Sequence, residues 1–225
     1  MQQKTHLTII ALLMTTFFIS QAPLPEGFSD VKKIIPDLEI DLRYAKLNNF
    51  VGQKIDGYSS EKAILSTAAA RALMAVQDEL TPYGLGLNFF DGYRPQRAVH
   101  HFVRWAKDTQ DTLMKAQFYP NMRKSQLFEK QYIASRSGHS WGSSVDLTLI
   151  DFKTCETLDM GSPYDFFGEI SHVNYKDLTK EQLANRKLLR TLMVKHGFRA
   201  YAQEWWHFTL NHEPFPNTYF DFVVE

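Results

Sequence analysis

The chain has 225 residues, of which 44% are hydrophobic, 14% aromatic and 22% charged, and its 25 Lys+Arg balance 25 Asp+Glu. That is enough chain to bury the core of one large domain and too apolar to stay disordered. With no basic excess to grip phosphates, nucleic acid is excluded as a partner class, and the single Cys155 excludes both an internal disulfide and a thiolate-rich zinc site.

In chain order, Lys4 precedes an apolar run from Leu7 to Ser20. The run falls short of the ~20 residues a membrane span needs, and Ser20-Gln21-Ala22 offers small residues where a signal peptidase reads them. This predicts a cleaved secretory signal at residues 1–22 and a domain over residues 23–225 that is exported, most simply to the periplasm, and has no membrane span. No cysteine follows the run, so a lipid anchor is not expected. A lone Cys155 is mildly at odds with an oxidising compartment, but it has no partner within its own chain.

Three helices are legible. The first is predicted from Ser66 to Leu80, with Ala69, Leu73, Val76 and Leu80 on one face and Gly84 past its end. The second begins at Pro95 and carries Ala98, Phe102 and Trp105 on one face. The third has Thr179 as N-cap with Gln182 three residues on, a capping box. It carries Leu188, Leu189, Leu192 and Met193 and stops at Gly197. Leu85, Leu87 and Phe89 alternate like a strand, as do Val145, Leu147 and Leu149, and the aromatic stretch from Phe198 to Leu210 reads as strand. Helices and strands mix without regular alternation. The prediction is therefore one compact α+β domain with a mostly antiparallel sheet flanked by helices.

Polar groups concentrate in two segments, Ser137 to Asp146 and Glu204-Trp205-Trp206-His207. Zinc chemistry explains that inventory. A catalytic zinc takes three protein ligands, here His139, Asp146 and His207, and keeps a position for a water whose pKa falls to roughly 7. Glu204 is the candidate to take that proton and pass it on. A three-residue spacing from His207 brings the two side chains together on a turn or bulge, whereas a flat strand would part them. Asp146 should face a cleft if Val145 and Leu147 face the core. Arg94, between a strand end and a helix start in Asp91-Gly92-Tyr93-Arg94-Pro95, could stabilise an oxyanion. Each motif alone is weak: His139 could cap a loop, Asp146 could be a solvated strand residue, His207 could be a packed histidine and Arg94 a surface ion pair. His100 and His101 are adjacent on a helix and point in different directions, His196 lies in the last turn of a helix, and His172 and His212 lack partners in sequence; all five read as non-catalytic.

Taken together, the motifs resemble the VanX-type D-alanyl-D-alanine dipeptidases, zinc enzymes of the M15 peptidase group. The group's Ser-x-His-x-x-Gly-x-Ala-x-Asp motif is matched by Ser137 to Asp146 and its Glu-x-x-His motif by Glu204 to His207. Asp41-Leu42-Arg43-Tyr44-Ala45, Asp56-Gly57-Tyr58, the Arg94 segment, Met160-Gly161-Ser162 and Tyr219-Phe220-Asp221-Phe222 are also similar, so the resemblance spans about Asp30 to Glu225. It implies one Zn2+ per chain on His139, Asp146 and His207, Glu204 as base and then acid, and Arg94 at the oxyanion. It also implies a small substrate pocket involving Tyr44, Ser137 and Asp165. The fold implied is that of the D-Ala-D-Ala metallopeptidases, shared with the Hedgehog signalling domain. The expected reaction is hydrolysis of a free D-Ala-D-Ala dipeptide. The alternative is a D,D-carboxypeptidase acting on longer cell-wall peptides. Oligomeric state is not readable. Two departures stand out: Ser144 replaces the family alanine, and Gly138 stands where close relatives often carry serine.

Overall fold

The computed structural model describes residues 23–225; the expected signal lies outside them. The elements in order are β1 (Phe28–Asp30), α1 (Val31–Ile34), β2 (Glu39–Ile40), β3 (Ile64–Ser66), α2 (Thr67–Leu80), β4 (Leu85–Asp91), α3 (Gln96–Lys107), α4 (Lys115–Phe118), β5 (Ser144–Asp151), β6 (Glu156–Thr157), α5 (Lys180–Lys195), β7 (Phe198–Tyr201) and β8 (Glu204–Leu210). The main sheet runs β2-β4-β5-β8-β7, with β6 paired to β5. Only β2 and β4 run parallel; the other pairs are antiparallel. This is the expected α+β arrangement. β1 and β3 form a separate two-stranded ribbon that the sequence pattern did not announce.

The helices start and stop where their caps dictate. Ser66 Oγ accepts from Ala69 N as the N-cap of α2, one residue before the helical backbone begins, and Pro95 holds the equivalent position before α3. Thr179 and Gln182 form the reciprocal capping box of α5, and Gly197 supplies the left-handed turn beyond it (φ 89°). Of the four aliphatics assigned to this helix, Leu189, Leu192 and Met193 are buried, whereas Leu188 is exposed. The apolar stripe is narrower than the composition suggests, because Arg186 takes a place on the buried face.

β5 is the central strand, and it is buried on both faces. Val145, Leu147 and Leu149 lie in the hydrophobic core, and α5 packs against this strand. The alternate residues point to the other face, and Asp146 among them reaches a cavity.

Two irregularities flank Asp146. In the β4–β5 pairing, Phe89 faces Leu147 but Asp91 faces Asp146, so Phe90 is an extra residue, a bulge. On the other side Asp146 pairs with His207. The β7–β8 register then jumps, from Ala200 opposite Phe208 to Tyr201 opposite Glu204. The β4 bulge and the regular β5–β8 pairing set Asp91, Asp146 and His207 abreast on three neighbouring strands.

Candidate active-site cavity and metal centre

A cavity of about 250 Å3 opens over this row. Its walls include Tyr44, Arg94, Ser137, His139, Asp146, Asp165, Glu204 and His207, all eight residues singled out from sequence, together with Phe50, Phe102 and Phe167. His100, His101, His172, His196 and His212 are absent from the lining; His196 instead bonds Glu79 at 2.7 Å.

His139 sits in a short 3-10 turn (Gly138–Trp141) capped by the Ser137 hydroxyl, which accepts from His139 N. Its Nδ1 lies 2.7 Å from the Gly92 carbonyl oxygen. A carbonyl can only accept, so Nδ1 carries the hydrogen and Nε2 presents its lone pair. That lone pair is 3.0 Å from His207 Nδ1 and 3.4 Å from Asp146 Oδ1, while His207 Nδ1 is 3.0 Å from the same carboxylate oxygen. His207 is steadied through its other nitrogen, 3.3 Å from Thr209 Oγ1, whose hydroxyl is 2.7 Å from Ser144 Oγ.

These atoms fit a divalent ion. Donors ~2.0–2.2 Å from a tetrahedral zinc lie roughly 3.3 Å from one another, and the three spacings observed bracket that value. Asp146 Oδ1 is buried with no hydrogen-bond partner among the described residues, an orphaned acceptor that a cation would satisfy. Two imidazole nitrogens and a carboxylate oxygen are an ordinary zinc set. Burial works to raise the Asp146 pKa, but in the metal-free chain the imidazoles of His139 and His207 hold the carboxyl far below its usual range; a cation bound at the imidazole lone pairs would favour the ionised carboxylate in their place.

Glu204 Oε2 lies 3.7 Å from His207 Nδ1. Burial, and then the Asp146 charge, push its carboxyl up to about 8, the tuning a general base needs near neutrality. The Arg94 guanidinium is held by Asp91, with Nε and Nη2 each 2.9 Å from Oδ2, and it reaches to 3.6 Å from Asp146 Oδ2. It stands over the Tyr44 and Phe102 rings at 5.0 and 5.2 Å. The fully buried Asp91 also accepts from Tyr58 OH at 2.6 Å. Arg94 is therefore an oriented cation facing the cavity, not a surface pair.

The far wall is a row of oxygens. Tyr44 OH donates to Asp165 Oδ2 at 3.0 Å, and Tyr164 OH lies 3.1 Å from both Tyr44 OH and Asp146 Oδ2. Burial and the Asp146 charge raise the Asp165 pKa well above normal.

Sequence reasoning left three residues of this machinery without a role. Asp91 precedes Arg94 by three residues, and that spacing is the signal for it in the sequence. Tyr164 adjoins Asp165, but nothing in the sequence points it at Asp146. Arg136, exposed on the cavity rim over Tyr219, carried no signal. The two departures prove to be neighbours: a Cβ added at Gly138 would come 2.9 Å from Ser144 Oγ.

An α+β domain that converges two imidazoles, several carboxylates and an oriented arginine on one small cavity has the parts of a metallopeptidase. Comparison with known proteins agrees. A family model described as D-ala-D-ala dipeptidase, peptidase M15, matches residues 25–225. Curated relatives named D-alanyl-D-alanine dipeptidase include one from Streptomyces coelicolor, 42% identical over 88% of this chain and 98% of its own. Another from Enterococcus faecium is 40% identical over 88% and 98%, and a third from Enterococcus faecalis is 41% identical over 89% and 100%. The chain belongs to the D-alanyl-D-alanine dipeptidase family of M15 peptidases.

Proposed function

We propose that the protein hydrolyses free D-Ala-D-Ala to two D-alanines with one zinc ion held by His139, Asp146 and His207. The observation that carries this reading is the convergence of the triad, Glu204, Arg94 and Asp165 on a cavity of about 250 Å3, below the ~300–1,000 Å3 typical of drug-sized ligands. The names of the curated relatives support it.

Zinc, when bound, would supply Lewis-acid polarisation of the scissile carbonyl and acidify a water. The remaining work belongs to the chain. Glu204 accepts the water's proton and returns it to the departing amine. Arg94, locked by Asp91, meets the charge that develops on the carbonyl oxygen. Asp165, supported by Tyr44, receives the ammonium of the dipeptide, and Ser137 lines the same space. A carboxylate at the amino end favours a free dipeptide over the interior of a longer peptide, which has no ammonium there. A D,D-carboxypeptidase is the second reading.

The purified chain should cleave D-Ala-D-Ala faster than L-Ala-L-Ala or a pentapeptide ending in D-Ala-D-Ala, and a chelator should abolish turnover. Chelator-insensitive cleavage would remove the metal from the reading, and faster cleavage of the pentapeptide would favour the carboxypeptidase. Export to the periplasm is part of the proposal. It rests on the apolar run from Leu7 to Ser20, outside the family match, and cell fractionation with N-terminal sequencing tests it. Among the described residues, no helix is long and apolar enough to cross a membrane.

A further inference from the structure

We infer that Arg186, on the middle of α5 and outside the cavity, is a positioning residue that fixes the amino-end wall of the substrate pocket; the inference rests on the proposed reading of Asp165. Arg186 is 8% exposed. Its Nε donates to the Met160 carbonyl at 2.6 Å, Nη1 to the His172 carbonyl at 3.2 Å and Nη2 to the Ile170 carbonyl at 2.9 Å. One guanidinium thus joins both stems of the segment spanning residues 159–172. Helix α5 adds a second grip, because Asn185 Nδ2 donates to the Asp159 carbonyl at 2.9 Å.

The segment between those stems carries the wall. Tyr164 reaches Asp146, Asp165 bonds Tyr44, and Phe167 lines the cavity. Asp165 also adopts a left-handed backbone (φ 61°). For a non-glycine residue that conformation is strained and persists only where its surroundings enforce it. The guanidinium itself is costly to bury. Burial pulls its pKa down to about 10, and no carboxylate forms an ion pair with it among the described residues. Its compensation comes from the loop carbonyls, so charge burial and loop geometry depend on each other. Arg186 also stands 5.7 Å over Trp205, whose indole donates to Ser162 Oγ at 2.9 Å. That ties the loop to the residue next to Glu204.

The test is paired. In Arg186→Lys, which keeps the charge but lacks a planar fork to span both stems, amide hydrogen exchange of the metal-free chain should accelerate about ten-fold or more within residues 160–172, while β5 and α5 keep their protection. The same variant should raise KM for D-Ala-D-Ala about ten-fold, with kcat within about three-fold, and leave unchanged any turnover of N-acetyl-D-Ala-D-Ala, which has no ammonium for Asp165 to receive. Arg186→Leu should show the same pattern more strongly. Unchanged loop exchange, acceleration spread evenly over the sheet, or a loosened loop with unaltered KM would each overturn the inference. A wild-type protein that cleaves no dipeptide would instead overturn the proposed function, and the exchange measurement would still decide whether Arg186 clamps the loop.

Discussion

Glu204 Oε2 and His207 Nδ1 approach to 3.7 Å although both belong to one β-strand and lie an odd number of residues apart. Regular pleating would send them to opposite faces. The register jump between β7 and β8 turns the strand between them and puts both into the cavity, so a backbone irregularity creates the pairing of the proposed base with the proposed ligand.

If that pairing serves catalysis, Glu204→Gln should retain stoichiometric zinc, because the triad is untouched. It should lower kcat by about 10²–10⁴-fold, the usual contribution of a positioned base. Kinetics alongside metal analysis checks both halves, and near-normal turnover would remove Glu204 from the role.

The raised Glu204 pKa also has a signature in the metal-free protein. From its ordinary pKa up to about 8, the native state holds a proton that the unfolded state has released. Native stability therefore falls as pH rises through that window. Glu204→Gln removes this liability, so the variant should gain on wild type between pH 4.5 and 8, by a few kcal/mol at most. Denaturant titrations of both proteins at several pH values, with chelator present, would show the widening gap. A constant gap would contradict the burial argument.

The metal ligands can be probed without turnover. Added zinc should raise the melting temperature of wild type and have little effect on His207→Ala, which keeps two of three ligands. Tyr164→Phe should be milder. The ring keeps its stack on Phe90, 4.5 Å between centroids, but Asp146 loses a hydrogen-bond donor. Zinc affinity should fall about 10–100-fold with the fold intact, as a competition titration would read.

The contact between positions 138 and 144 predicts non-additivity. Gly138→Ser alone should destabilise, since its Cβ meets Ser144 Oγ at 2.9 Å. With Ser144→Ala it should be tolerated, and the coupling should be ~0.5–3 kcal/mol in a double-mutant cycle followed by urea unfolding. Additive effects would mean that the hydroxyl simply rotates aside.

Much of this site was legible because its donors lie in two short motifs. The caps at Ser66 and Thr179 announced their helices, since capping chemistry is local. What remained hidden depends on pairing across the chain. Nothing in Leu85 to Asp91 shows that Phe90 is a bulge, yet that bulge sets Asp91 opposite Asp146 and so brings Arg94 to the cavity. Tyr164 and Arg186 act through partners 18 and 26 residues away, and no periodicity records such a contact. Nor does the run of aliphatics on α5 tell the exposed Leu188 from the buried Leu189, because it does not reveal that the charged Arg186 shares the buried face.

The row Asp165–Tyr44–Tyr164–Asp146 has three junctions between its residues but only two phenolic hydrogens to bridge them. A full set requires a third hydrogen on Asp165, and burial favours it there. With that hydrogen in place every donor would point toward Asp146, whereas in the structure Tyr44 donates to Asp165. When an ammonium ion takes the place of that hydrogen, Tyr44 donates to Asp165 instead, and the contact between the two phenols is left without a hydrogen. The two tyrosines thus form a short wire with a direction, and filling one wall of the cavity would alter how firmly the Asp146 carboxylate is held at the other.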